Sequence, residues 1–156
     1  MPELDPIDRK IIAQVMEDAT LPVAVIADRV GLSQTPCWKR IRRLEETGVI
    51  MRRVALADPA ALGIGVQAFV LIQLPDQGLE AQTALRAACR DVPELMEIWR
   101  IAGEHDYLLR IAAANIAGFD AVCQRLQSLL HLRRLTAHLA LEQIAFTTAY
   151  PLDLPR

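Results

Sequence analysis

The chain has 156 residues, 53% hydrophobic and 23% charged, with a formal net charge of −2. That length supports two small domains folding without staples, and the charge excludes a general nucleic-acid coat. The sum hides an asymmetry: residues 33–53 carry six basic side chains (Lys39, Arg40, Arg42, Arg43, Arg52, Arg53) against Glu45 and Glu46, whereas residues 54–156 carry eight basic and eleven acidic ones, so attraction to phosphate is local.

The opening LDPIDRKIIAQVMED places Asp5 as a cap, Pro6 at the first helical position and Asp8 three residues after the cap. It predicts a helix to about Glu17 with Ile11, Ile12, Val15 and Met16 on its apolar face. Leu21 to Val30, entered through Pro22, reads as a second short helix with Leu21, Ile26 and Val30 inward. Ala27 permits close helix approach and Gly31 a tight turn.

The stretch Ser33 to Gly48 then reads as one amphipathic helix, with Ser33 as N-cap, Pro36 in the first turn and Gly48 as the stop. Cys37, Ile41 and Leu44 form a narrow apolar stripe. On the other side Gln34, Trp38 and Arg42 share one line, Thr35 and Lys39 the next, and Arg40 and Arg43 flank them. This is a helix-turn-helix with a polyanion-facing surface. Gln34, Thr35, Trp38 and Arg42 are assigned to base edges or sugar-phosphate, with Pro36 in the same exposed turn. Ser33, Lys39, Arg40, Arg43, Arg52 and Arg53 are assigned to the backbone. Trp38 has two readings, contact with a thymine methyl or sugar and partial burial against the helical core.

After Gly48, VIMRRVALADP has strand character up to Pro59 and is read as a linker strand. Val66 to Leu74 predicts a strand, Leu79 to Asp91 a helix with Leu85, Ala88, Cys89 and Val92 on its apolar face, and Glu94 to Ala102 a strand. GEHD (Gly103 to Asp106) is a turn and Tyr107 to Ala113 the next strand. Ile116, Phe119, Val122, Cys123, Leu126, Leu129 and Leu130 then give a helical stripe, followed by a long strand from about Arg133 to Thr148. The order β-α-β-β-α-β is the ferredoxin-like split unit, in which two helices cover one face of a four-stranded antiparallel sheet. Alternation of Leu135, Ala137, Leu139 and Leu141 with Thr136, His138, Ala140 and Glu142 leaves the open face mixed, which predicts burial against a second copy and hence a homodimer. A two-fold pair of helix-turn-helix units would read a palindrome.

The expected class is therefore α+β: a three-helix winged-type helix-turn-helix domain over 1–53, a linker strand over 54–64 and a ferredoxin-like sensing and dimerisation domain over 65–156. Cys37, Cys89 and Cys123, without a CxxC or Cys/His cluster, read as reduced core residues of a cytoplasmic protein. The longest uncharged run, Pro59 to Pro75, is too short and too rich in Pro, Gly and Gln for a membrane span, and charges at Asp5, Asp8, Arg9 and Lys10 break any export signal. Nothing in the pattern offers a nucleophile–base pair, metal-ligand spacing or phosphate-binding loop, so no enzyme, cofactor or metal is expected.

LDPIDRKI, IADRVGLSQTPCWKRIRRLEETGVI, AGEHDYLLRI and the tail TTAYPL together give the chain a resemblance to the Lrp/AsnC (feast/famine, leucine-responsive) regulators, from about Leu4 to Leu152. The resemblance implies a transcriptional regulator that binds promoter DNA, assembles from dimers into tetramers or octamers, and responds to a small effector, commonly an amino acid. It implies an effector site near Gly103, Glu104, His105 and Asp106 and near Thr136 and His138 on the last strand. Backbone N–H groups of the glycine turn offer donors for a carboxylate, and Glu104 and Asp106 beside them offer acceptors for an ammonium group. Asp106 also has a plain reading as a turn cap, and His138 one as an ordinary sheet residue. The chain departs from many members at His131 to Leu135, HLRRL, where they have a proline-glycine turn. Siroheme decarboxylases resemble the same two-domain fold, but their chemistry needs histidines and arginines around a tetrapyrrole, and here only His105, His131 and His138 exist. An architectural DNA binder without an effector is the other alternative.

Overall fold

A computed structural model describes residues 3–76 and 78–152, apart from the side chain of Cys89; the core reading of Cys89 thus lies outside the described residues. The chain forms two compact units, Met1–Leu56 with Ile144–Arg156, and Ala57–Gln143.

The first unit holds α1 (Pro6–Glu17), α2 (Val23–Val30) and α3 (Gln34–Glu46). Asp5 and Asp8 make a reciprocal capping box at the start of α1, each side chain accepting the other's backbone N–H, so two orphan donors are satisfied at once. Helix α2 starts two residues later than expected because Pro22 takes the cap position in extended conformation, leaving Leu21 outside the helix. Gly31 and Gly48 have φ of 74° and 73°, the left-handed conformation that the two turns require and glycine adopts without strain. Ile11, Ile12, Val15, Ile26, Ala27, Val30, Cys37, Ile41 and Leu44 fill the core between the three helices. Ser33 occupies the expected cap position of α3, but its hydroxyl makes no capping bond, correcting that part of the reading.

The expected linker strand does not form. Residues 51–58 run without a ladder partner among the described residues, and Met51, Val54 and Leu56 stay exposed, because a strand exists only where another edge pairs with it. The tail also differs from the 65–156 grouping. Thr148 donates to the Met16 carbonyl, the Leu152 carbonyl accepts from Arg9, and Leu152 packs on the helical core, so residues from Ile144 join the first unit.

The second unit is the expected βαββαβ arrangement: β1 (Val66–Gln73), α4 (Leu79–Asp91), β2 (Leu95–Arg100), β3 (Tyr107–Ala113), α5 (Ile116–Leu130) and β4 (Arg134–Leu139). The antiparallel sheet has strand order β2-β3-β1-β4. Alternate residues Ala68, Val70, Ile72 on β1 and Tyr107, Leu109, Ile111, Ala113 on β3 bury against Leu85, Ala88, Phe119, Val122, Cys123, Leu126 and Leu130 of the two helices. Ile116 and Leu129, expected in the α5 stripe, are instead exposed: Ile116 opens the helix ahead of the first buried residue, Phe119, and Leu129 is turned off the line that buries Leu126 and Leu130. Strand β4 stops at Leu139 rather than Thr148: Leu139 already pairs with Ala68 and the Ala140 N–H with Gln67, so β1 offers little further partner.

Helix α5 ends on His131, a non-glycine residue held in the left-handed conformation (φ 47°, ψ 49°) and exposed to solvent. That conformation costs an L-residue roughly 1–2 kcal/mol, part of which glycine returns through its freer unfolded chain. His131→Gly is therefore expected to stabilise the sheet unit by about 0.5–1 kcal/mol, read as a Tm rise of a few degrees by calorimetry.

Candidate functional site

Helix α3 presents two unlike sides. Cys37, Ile41 and Leu44 are buried at 0%, 3% and 1% exposure, and burial pushes the Cys37 thiol up from its ordinary pKa. With that side fixed inward, Gln34, Thr35, Pro36, Lys39 and Arg42 stand exposed and Trp38 is half-exposed at 48%. Trp38 is therefore neither buried nor free of the helix: the Arg42 guanidinium lies 5.5 Å from its ring centroid, within cation–π range. Arg52 is also exposed, whereas Arg53 donates to the Ala19 carbonyl and to Glu45.

Two further arginines assigned to phosphate are likewise committed elsewhere. Arg40 Nη1 lies 2.5 Å from Asp5 Oδ2 and 2.8 Å from Asp8 Oδ1, and Arg43 Nη2 lies 2.5 Å from Asp8 Oδ2. Arg40 thus faces the start of α1. Arg43 keeps about half its side chain in solvent while tied at one nitrogen. Placing these residues from the α3 wheel alone omits the carboxylates supplied by α1. The Asp8 side chain is 1% exposed, so a buried carboxylate with two guanidinium partners fixes α3 against α1. Local pattern marks Asp8 only as half of a capping box; its second task has no local signal, since Arg40 and Arg43 lie more than thirty residues away. The bonded Arg40 guanidinium, and after it the Asp8 backbone N–H, hold the Asp5 carboxyl below its ordinary pKa.

In the sheet unit the loop between β2 and β3 is closed by the Ile101 N–H donating to the Asp106 carbonyl at 3.0 Å. Gly103 has φ of 139°, which favours glycine. Asp106 is a cap as its plain reading has it, but for a neighbouring strand: its Oδ2 accepts the Leu74 N–H at 2.9 Å, and its own N–H donates to the Ile72 carbonyl. Glu104 pairs with Arg134 at 2.6 Å, and its carbonyl accepts from the Gln73 side chain. His105 is half-buried, with its Nε2 covered and without a partner among the described residues.

The ladder pairs Thr136 with Leu71 and His138 with Phe69, on the face of β1 opposite its buried residues. At the usual rise per residue, Thr136 lies roughly 7 Å and His138 roughly 13 Å along β4 from Arg134. The hairpin end thus brings Glu104, Gln73 and Arg134 together with Thr136 nearby, and leaves His138 apart. Gln73 and Arg134 escape the sequence reading because their meeting depends on the β1–β4 register, which single-strand alternation does not reveal. Among the described residues no His/Cys/Asp/Glu group could hold a metal ion, and no helix is long and apolar enough to cross a membrane.

These two sites can be set beside known proteins. Residues 4–51 match the winged helix-turn-helix DNA-binding model, and residues 67–150 match the Lrp/AsnC ligand binding domain. The chain is 40% identical over 151 residues to the DNA-binding transcriptional activator DecR of Escherichia coli K12, spanning 96% of this chain and 99% of that protein. Among solved structures it is similar to an AsnC family transcriptional regulator from Agrobacterium tumefaciens, with a TM-score of 0.90 and 43% identity over 96% of this chain and 98% of that one. It is also similar to a transcriptional regulator from Neisseria meningitidis solved as an L-Met complex, with a TM-score of 0.89 and 28% identity over 97% and 98% of the two chains. With a basic, outward-facing α3 in one unit and the sensing-type sheet in the other, the chain belongs to the Lrp/AsnC family of DNA-binding transcriptional regulators.

Proposed function

We propose that α3 enters the major groove of double-stranded promoter DNA, with Gln34, Thr35, Trp38 and Arg42 toward base edges and Lys39 and Arg52 on phosphates, while Ser33 and Pro36 border the contact. The observation that carries this is the division of α3, whose apolar stripe is sealed in the core while this set is left in solvent. Arg40, Arg43 and Arg53 support the surface from their carboxylate partners rather than by contacting the duplex in the first instance. Lys39→Ala is expected to weaken binding about equally for all duplexes and to reduce the slope of log affinity against log salt by about 1, measured by fluorescence anisotropy. An unchanged affinity and slope would place Lys39 away from DNA.

The hairpin end is proposed as the effector site and a free amino acid as the effector. Glu104 and Arg134 form an ion pair that is exposed at both partners. A zwitterion can replace each half of such a pair, its ammonium group on Glu104 and its carboxylate on Arg134 or the Gly103 backbone, with Thr136 as a further polar contact. The L-Met complex of the Neisseria relative supports this class of ligand. Binding would act by favouring one arrangement of the paired sheet domains, and so one spacing of DNA-binding heads, through differential affinity. In a thermal-shift screen of the twenty amino acids, at least one is expected to raise Tm, by an amount equivalent to roughly 2–3 kcal/mol at a hundredfold excess over its Kd, and Glu104→Ala to abolish the rise. No shift with any amino acid would remove them as effectors.

The open sheet face is proposed to pair with a second copy of the chain, giving a cytoplasmic homodimer that can assemble further, and carrying no catalytic step. Phe69, Leu71, Trp99 and Leu108 give this face an apolar centre that is incompletely covered within one chain.

A further inference from the structure

Trp38, Arg42 and Glu46 stand at i, i+4 and i+8 on the exposed side of α3, and their contacts do more than share a line. Arg42 Nε donates to Glu46 Oε1 at 2.9 Å, and the guanidinium lies by the Trp38 ring at 5.5 Å. The adjacent Glu45 is engaged by Arg53 at 3.1 Å, so of the two neighbouring carboxylates only Glu46 holds Arg42. Neither Nη of Arg42 has a partner among the described residues. A guanidinium bound at Nε and stacked on a ring keeps its outer Nη1–Nη2 pair as a planar two-donor fork, and the O6 and N7 acceptors of guanine in the major groove match such a fork.

We infer that Glu46 and Trp38 are positioning residues that aim the Arg42 fork at a guanine, so that the choice of that base depends on two side chains that need not touch it. The inference rests on the DNA-reading role of α3 proposed above. Glu46 adds discrimination of a second kind: its negative charge disfavours approach to phosphates, and only a site with a guanine in register returns a bidentate bond against that repulsion. An exposed pair of this kind contributes little to folding, so its loss should leave the helix intact.

The test is selection of sites from a randomised double-stranded DNA pool by the full-length chain, followed by affinity measurements on the selected duplexes. Wild type is expected to select a guanine in each half-site, and Arg42→Ala to lose that preference while keeping the others. Glu46→Ala should lower the preference for guanine over adenine at that position about fivefold to tenfold and leave other positions unchanged. Glu46→Gln, which retains an Oε1 acceptor for Arg42 Nε, should recover most of the preference while binding unselected DNA more tightly than wild type. Replacing the selected guanine by 7-deazaguanine should weaken wild type and leave Arg42→Ala unaffected. If Glu46→Ala selects the wild-type sites with undiminished guanine preference, the positioning role is overturned while the Arg42 loss still supports the reading of α3. If Arg42→Ala also selects unchanged sites, both fall.

Discussion

Asp8→Ala is expected to destabilise the helical unit by about 2–3 kcal/mol, at or just below the roughly 3–5 kcal/mol that breaking a fully buried ion pair costs. Two losses combine. Arg40 and Arg43 lose a carboxylate whose side chain is 1% exposed, but they are themselves 28% and 53% exposed and can turn toward water, which limits the penalty. The Asp5 N–H loses its acceptor and the capping box is reduced to one bond, at a cost of about 1 kcal/mol. The tie between α3 and the start of α1 is thereby reduced to the Arg40–Asp5 pair. The chain has two tryptophans, Trp38 on α3 and Trp99 on β2, so urea unfolding followed by fluorescence in a Trp99→Phe background reports the helical unit alone. Arg40→Ala in the same background should cost less, since Asp8 keeps Arg43, and the double variant should cost less than the sum. Additive losses would show that the carboxylate and guanidinium act separately. Because the contact orients the reading helix, Asp8→Ala should also weaken DNA binding below the temperature at which the unit unfolds.

That carboxylate shows where local pattern ends. The capping box, the extent of α4 and the buried-every-other-residue course of β3 depend on neighbours within a turn or on strict alternation, and single-sequence reading gives them at or near their observed bounds. The outward face of α3 is equally legible, because three apolar residues fix its rotation. What escapes is whatever needs a partner distant in the chain. Asp8 meets Arg40 and Arg43 only after three helices pack, and Arg134 meets Glu104 only after β4 takes its register on β1. The segments 51–58 and 141–148 have strand-like composition, yet neither joins a ladder among the described residues. Their apolar side chains, Leu56, Leu141 and Ile144 among them, mislead because β propensity describes a fit to a sheet, not the presence of one.

Phe69→Glu is expected to convert the chain from the proposed dimer to a monomer at micromolar concentration, measured by sedimentation velocity, and to lower affinity for a two-half-site duplex by about 10²–10⁴ while leaving single half-site affinity unchanged. Phe69 sits on β1, a central strand, is 43% exposed, and faces the side of the sheet away from the helices. Around it the face is apolar at Leu71, Leu108 and Trp99, and beside it Glu97 is bound by the Trp99 indole N–H and by Arg110, which together hold its carboxyl below the ordinary value. A two-fold contact through this face would bring the introduced carboxylate close to apolar groups of the second copy. Arg110, the cation paired across the ladder from Phe69, is already engaged by Glu97, so its charge would be shared between two carboxylates. The fold itself should tolerate the change, because the buried neighbours Ala68 and Val70 point to the opposite side and keep their packing. Trp99 supplies an internal check: in a Trp38→Phe background its emission should shift to longer wavelength as the face becomes wet, at the same protein concentration at which sedimentation reports dissociation. A variant that stays dimeric, with Trp99 emission and two-half-site affinity unaltered, would move the contact between copies off this sheet face.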